Sequence, residues 1–352
     1  MAVLSRRRVH PPPAVLLRFA PLLAALLLTL TVATMVGSVA IPPAETVHIL
    51  LYKLGLYGAR ATWPLQDQEI IWSIRVPRVV GAALVGVALS VAGTLFQAVL
   101  RNPLADPYVI GTAAGAQFGV AIALLLPLQF VALGFGPVQV LAFAGALLTV
   151  LVVYSVARTA GRTPTITLLL GGFVVSSFLI SASSFLMMAG NRMNEVISWT
   201  MGSMDVSDLR QLSATAPLIL AAACAAYVLA RRLDVLLLGE EQAAHLGVRV
   251  ERLKLLAVIL ASLLTALAVC LAGIVAFVGL VVPHSARLIY GPGHRVLIPT
   301  AACAGAVFVV LADLLAHIVL PGTVIPLGAV TAIIGAPFFL HLLRRSRREY
   351  AV

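Results

Sequence analysis

Apolar runs of about 20 residues recur from one end of the chain to the other, and each can cross the roughly 30 Å hydrocarbon core of a bilayer as a helix. That recurrence sets the fold class as all-α and polytopic in a membrane. Only 11% of the 352 residues are charged and 61% are hydrophobic, which leaves too little polar surface for a water-soluble domain of this length. A β-barrel would need short alternating strands, and the chain lacks that pattern. No linker or soluble insert interrupts the runs, so residues 1–352 read as a single transmembrane domain.

Ten spans are expected, at about 14–41, 75–100, 108–126, 138–157, 165–189, 213–230, 255–272, 274–290, 296–316 and 327–343. The first follows a basic head, Arg6 to Arg8, and imitates a signal peptide, but its apolar run is too long for one. Residues 42–74 suit a loop with a short interfacial helix. Gly81, Gly86, Ser90 and Gly93 in the second span allow close helix packing. The run Arg101 to Pro107 and the run Arg158 to Pro164 read as tight turns. Spans seven and eight are divided by little more than Gly273, which predicts a tight hairpin.

An even number of spans puts both termini on one side. The 24 Lys and Arg residues test this independently. Six of them (Lys53, Arg60, Arg75, Arg78, Arg192 and Arg210) fall on one side and the rest on the other. The richer side is cytosolic, and it holds both ends of the chain. The net charge of +11 is thus a topology signal, not a sign of nucleic acid. Cys224, Cys270 and Cys303 lie within apolar runs without paired spacing, and read as small buried hydrophobes.

The longest charged interruption is Asp234 to Lys254, between spans six and seven. Glu240, Glu241, His245, Arg249, Glu251, Arg252 and Lys254 crowd into a length of about four helical turns, with Gly239 and Gly247 breaking the segment. Leu238, Ala243, Leu246 and Val250 recur at steps of three to five, so one face can pack while the other meets a partner. The segment reads as a cytosolic docking element.

The chain carries no GxxxxGK[ST] loop, HExxH or CxxC motif, and no nucleophile motif with a placed His and Asp. It is therefore read as a transport subunit without an ATPase site, a metal site, a catalytic residue or a cofactor of its own. An ion-coupled carrier would keep ionisable groups at mid-membrane. Asp313, with His317 four residues on, is the exception among the spans, and a structural pair is the favoured reading of those two. A membrane protein with a docking element and no energy site needs an external motor.

Four segments carry a resemblance: RVPRVVGAALVGVALSVAGTLFQAVLRNPLADPYVIG (75–111), LGEEQAAHLGV (238–248), GIVAFVGLVVPHSARLIYGPGHRVLIP (273–299) and PLGAVTAIIGAPFFLHLLRR (326–345). In this order they resemble FecCD-type permeases, the membrane subunits of ABC importers for iron-siderophores, haem and vitamin B12. The resemblance implies a bacterial inner-membrane homodimer of ten-helix subunits. Two cytosolic ATPase subunits, which bind the ATP, would sit below it, and a substrate-binding protein would dock outside. The substrate would be an iron chelate, with cobalamin as the alternative.

By the same resemblance, Gly239, Glu240, Glu241, Ala244, His245, Leu246 and Gly247 form the coupling segment against the ATPase. Asn102, Leu104 and Thr165 stand at the cytosolic gate. Arg75 and Arg78 meet the binding protein. His317 takes a third position in that patch, commonly Arg in the family, and would make docking pH-sensitive. Val324 stands where the family has Glu. Ser177, Ser181, Ser184 and Met188 form one stripe of the fifth span and line the translocation path. His284, in VVPHSAR, is read as a structural hydrogen-bonding residue.

Overall fold

The computed structural model describes residues 12–350 apart from 38, 57, 59–62, 160, 205, 207 and 321–324. Arg6 to Arg8, Arg60 and Val324 therefore lie outside the described residues. Within them the regular structure is helical, with two isolated bridges, Ala132 with Phe135 and Thr159 with Arg162, closing tight turns.

In chain order the helices are α1 (Pro12–Met35), α2 (Pro43–Lys53), α3 (Leu65–Glu69), a π-helical turn (Ile70–Arg75), α4 (Val76–Val99), α5 (Thr112–Leu125), α6 (Pro137–Ala157) and α7 (Thr165–Ala189). They continue with α8 (Met193–Thr200), α9 (Leu209–Leu236), α10 (Glu240–His245), α11 (Val250–Ala272), α12 (Val278–Tyr290), α13 (His294–Ile318) and α14 (Leu327–Tyr350). Among the described residues six helices are long and apolar enough to cross a membrane, and Phe19–Met35, Thr112–Leu125 and Leu327–His341 are shorter apolar helices.

The axis of the fold is α4, packed against α9, α11, α12 and α13. In its apolar window 83% of residues are buried, against 11% for α7. Small residues explain how α4 accepts so many neighbours. A Cβ on Gly93 would stand 1.8 Å from the Gly279 carbonyl oxygen, and one on Gly86 2.1 Å from that of Gly305. These backbones touch, as expected of apolar helices that gain contact through small residues. Helices α5 and α6 close in the same way, with Gly115 against Gly145. Helix α7 packs mainly on α5 and α6 and leaves the rest of its surface uncovered.

Two local expectations change. The second span starts ten residues earlier than Arg75, because Leu65 to Arg75 is already helical and continuous with α4. Asp67 and Glu69 made this stretch read as loop. The π turn falls just before Pro77, which lacks an N–H and whose ring crowds the preceding turn, and the wider spacing relieves that conflict. The break between α11 and α12 is also longer than one glycine. Residues 273–277 are non-helical, bounded by Gly273 at φ 64° and Phe277 at φ 67°. Val275 in this break is buried, and buried irregular backbone needs partners from the protein. Tyr108 is one: its hydroxyl accepts the Val275 N–H at 3.2 Å and lies 3.3 Å from the Val275 carbonyl.

Candidate functional site

The charged segment folds as a short helix held at both ends. Before it, Asp234 near the end of α9 accepts the His294 backbone N–H at 2.8 Å and pairs with His294 Nδ1 at 2.7 Å. His294 is fully buried, so this contact fastens the start of α13 to the end of α9. Gly239 then turns the chain at φ 117°, and a Cβ there would stand 2.2 Å from Gln242 Oε1, so a side chain fits poorly. Ala243 is the buried side of α10, whereas Glu241, Ala244, His245, Leu246 and Gly247 are exposed. The C-terminal end closes with Leu246, Gly247 and Val248 donating to Gln242, Ala244 and Ala243.

Glu240 does not share that outer face. It turns toward the start of α11, where its two carboxylate oxygens lie 3.2 and 3.3 Å from Lys254 Nζ. Lys254 is buried and also donates to the Thr163 carbonyl at 2.7 Å and to Glu251 at 3.3 Å. Thr163 belongs to the α6–α7 turn, which Thr159 and Arg162 close with paired backbone bonds. Pro164 follows, and Thr165, half-buried, opens α7.

The turn after α4 is rigid for local reasons. Asn102 Oδ1 accepts the Leu104 N–H at 2.9 Å and Asp106 Oδ1 accepts the Tyr108 N–H at 2.8 Å. These are Asx-type turns, in which the short side chain replaces a backbone partner. Asn102 and Leu104 are exposed. Burial pushes the Asp106 carboxyl up to about 6, against the pull of the Tyr108 bond. The folded state thus holds this proton to higher pH than the unfolded chain does. The stability it contributes is full below about pH 4 and is lost as pH rises through about 6. Asp106→Asn keeps an oxygen for Tyr108 and removes the charge. It should raise the melting temperature near neutral pH and flatten its slope between about pH 4 and 6. Parallel pH profiles for variant and wild type would contradict this.

The stripe on α7 lies on the uncovered side of the helix: Ser177, Ser181, Ser184 and Met188 are all exposed. Their hydroxyls are spent within the helix. Ser177, Ser181 and Ser184 donate to the carbonyls of Phe173, Ser177 and Ile180 at 2.9 Å each. The stripe itself therefore offers few free donors, and the exposed side of the helix also carries Phe173, Phe178 and Phe185.

At the opposite end, the structure gives Arg75 and Arg78 different surroundings. Arg75 is buried. Its Nη1 donates to the carbonyls of Thr34 and Met35 at 3.1 and 2.9 Å, and Nη2 donates to that of Val39. It thereby caps the carbonyl end of α1, where a cation also meets the negative end of the helix dipole. Gly37 makes the room, since a Cβ there would sit 2.8 Å from the guanidinium. Arg78 grips Asp313 through Nε to Oδ2 at 3.0 Å and Nη2 to Oδ1 at 3.1 Å. His317 Nδ1 lies 2.6 Å from the Asp313 backbone oxygen and 3.9 Å from its Oδ1, so the favoured pairing of these two is secondary to the one with Arg78. These groups border a cavity of about 220 Å³ walled by α1, the π turn, α4 and α13.

Among the described residues His284 does not make the hydrogen bond expected of it: its Nδ1 is buried without a partner there. Sequence reasoning also missed Lys254 as a hub and the Asp234–His294 tie. The available signal was a lysine three residues after Glu251 at the start of an apolar helix, a spacing that puts both on one face.

The model of the FecCD transport family matches residues 24–345. The cobalamin import system permease protein BtuC of Halobacterium salinarum is 44% identical over 80% of this chain and 75% of its own length. The hemin transport system permease protein HmuU of Yersinia pestis is 34% identical over 82% of this chain and 89% of its own. A solved structure described as an inward-facing metal-chelate type ABC transporter aligns with TM-score 0.80 at 25% identity, over 95% of this chain and all of the other. With the match covering nearly the whole sequence, the chain belongs to the FecCD transport family.

Proposed function

We propose that the chain is the membrane-spanning permease subunit of an ATP-binding-cassette importer for a metal chelate. It crosses the bacterial inner membrane ten times with both termini cytosolic, and works as a homodimer with two ATPase subunits and an external binding protein. It binds no cofactor itself; the ATP sits on the partner ATPases. The observation that carries this reading is α10, a short helix offered to one side on glycine turns and braced against the bundle. The family membership and the names of the relatives support it.

In this reading the exposed residues of α10 enter the ATPase, with Gly239 and Gly247 setting its angle. Asn102, Leu104 and Thr165 form the gate at the same end. The face of Ser177, Ser181, Ser184 and Met188 lines the path. At the outer end Arg78 and His317 meet the binding protein, while Arg75 shapes that rim from beneath. An iron chelate, a siderophore or haem, is the first substrate class. Cobalamin is the second, favoured by the 44% identity to a permease of that name. The ion-coupled carrier loses support, because Arg78 occupies the Asp313 carboxylate that it would need.

The test is reconstitution with the ATPase and binding protein. Glu241→Lys reverses a charge on the exposed face of α10 and should lower substrate-stimulated ATP hydrolysis roughly tenfold, equivalent to about 1.4 kcal/mol of coupling. Unchanged stimulation in the assembled complex would contradict the role given to α10.

A further inference from the structure

Lys254 stands where three segments meet, and its ammonium has three protons for three partners. One is Glu240, the first residue of α10. A second is Glu251, one turn away on α11. The third is the backbone carbonyl of Thr163, at 2.7 Å. Glu251 completes the grip, since its Oε2 accepts the Thr163 N–H at 3.1 Å. Both backbone groups of Thr163 are thus held by side chains of α11, and the hold does not depend on the threonine hydroxyl, which has no partner among the described residues.

The position of this grip gives it meaning. Helix α10 packs mainly on α9 and α11. Among the described residues its polar route to the α6–α7 turn runs through Lys254. Thr163 is two residues before Thr165, where α7 begins. The exposures differ within the cluster: the Lys254 side chain is 3% exposed, those of Glu240 and Glu251 36% and 33%. A fixed cation therefore meets one carboxylate that can swing with α10 and another that holds the turn.

We propose that Lys254 is a positioning residue of the transport cycle, which carries a displacement of α10 to the α6–α7 turn and so to α7. This rests on the permease reading above and adds to it the route between coupling helix and gate. Removing the ammonium leaves two carboxylates facing one another without a cation. They repel, α10 is pushed off α11, and the Thr163 carbonyl loses its donor. ATP-driven movement of α10 then no longer moves α7.

The experiment uses the full chain assembled with its ATPase and binding protein in proteoliposomes, with radiolabelled ferric siderophore, haemin and cobalamin as probes. The readout is uptake per ATP hydrolysed. Lys254→Met should lower this ratio roughly tenfold, and Lys254→Arg should restore most of it. Combining Lys254→Met with Glu240→Gln should lower it no further than Lys254→Met alone, because the two act through one contact. A purely structural clasp predicts less assembled complex with an unchanged ratio, and that result overturns the proposal. So does a multiplicative loss in the double variant. If Lys254→Met does not assemble, the ratio is read on Glu240→Gln, where a fall supports the proposal and no change overturns it. A wild-type complex without ATP-driven uptake of any of the three probes overturns the permease reading along with the proposal. Wild-type uptake with an unchanged ratio in the variants overturns the Lys254 route alone.

Discussion

Gly93→Leu should leave no folded protein in detergent extracts. Gly93 sits on the buried axis helix, and a Cβ there would meet the Gly279 carbonyl oxygen at 1.8 Å and its Cα at 2.8 Å. Both are backbone atoms, so no rotamer change makes room. Helices α4 and α12 would have to part by more than 1 Å, breaking packing that α4 shares with α9, α11 and α13. Overpacking a core by flexible side chains costs about 1–3 kcal/mol, and a backbone collision along the central helix exceeds that range. Against a total margin of roughly 5–15 kcal/mol, the expected result is loss of the monodisperse peak in size-exclusion chromatography. Gly93→Ala should show a weaker form of the same defect. A leucine variant that elutes and melts like wild type would show that the α4–α12 approach is not as close as described.

The second large effect is expected for Asp313→Ala. Asp313 is nearly buried, and its carboxylate takes three bonds from Arg78, whose side chain is 26% exposed. Breaking a buried pair by removing one partner costs about 3–5 kcal/mol, because the remaining charge is left uncompensated. Partial exposure of Arg78 lets water repay some of this, so about 2 kcal/mol is expected. The double variant Arg78→Met with Asp313→Ala should recover most of the loss, since it leaves no stranded charge. Thermal unfolding of the three variants separates the cases. Equal destabilisation by the single and double variants would mean that Asp313 acts through packing and not through Arg78.

Much of the architecture was legible because a membrane permits few solutions. Apolar runs of span length located the long helices, and the small residues of the second span, Gly86 and Gly93, proved to be the points where α4 touches its neighbours. Composition could not locate the start of that span, where Asp67 and Glu69 interrupt an already helical stretch. The charged segment was visible as an interruption, and its glycines as turns. The direction each charge faces was not visible. Glu240 and Glu241 are adjacent and alike in sequence, yet one turns inward to Lys254 and the other outward. Arg75 and Arg78 likewise read as one patch, although one caps α1 and the other pairs with Asp313. Such partners lie tens to hundreds of residues away, and no local pattern reports them.

The most direct test of the central claim is uptake in cells with and without this chain, using labelled ferric siderophore, haemin and cobalamin side by side, each with ATP depleted or the proton gradient collapsed. The permease reading predicts that removing the chain abolishes uptake of at least one of the three, and that this uptake follows ATP and not the proton gradient. Loss of cobalamin alone would place the chain in the vitamin branch, and loss of an iron source alone in iron acquisition. Unchanged uptake of all three, or uptake that collapses with the gradient while ATP remains, would contradict the account.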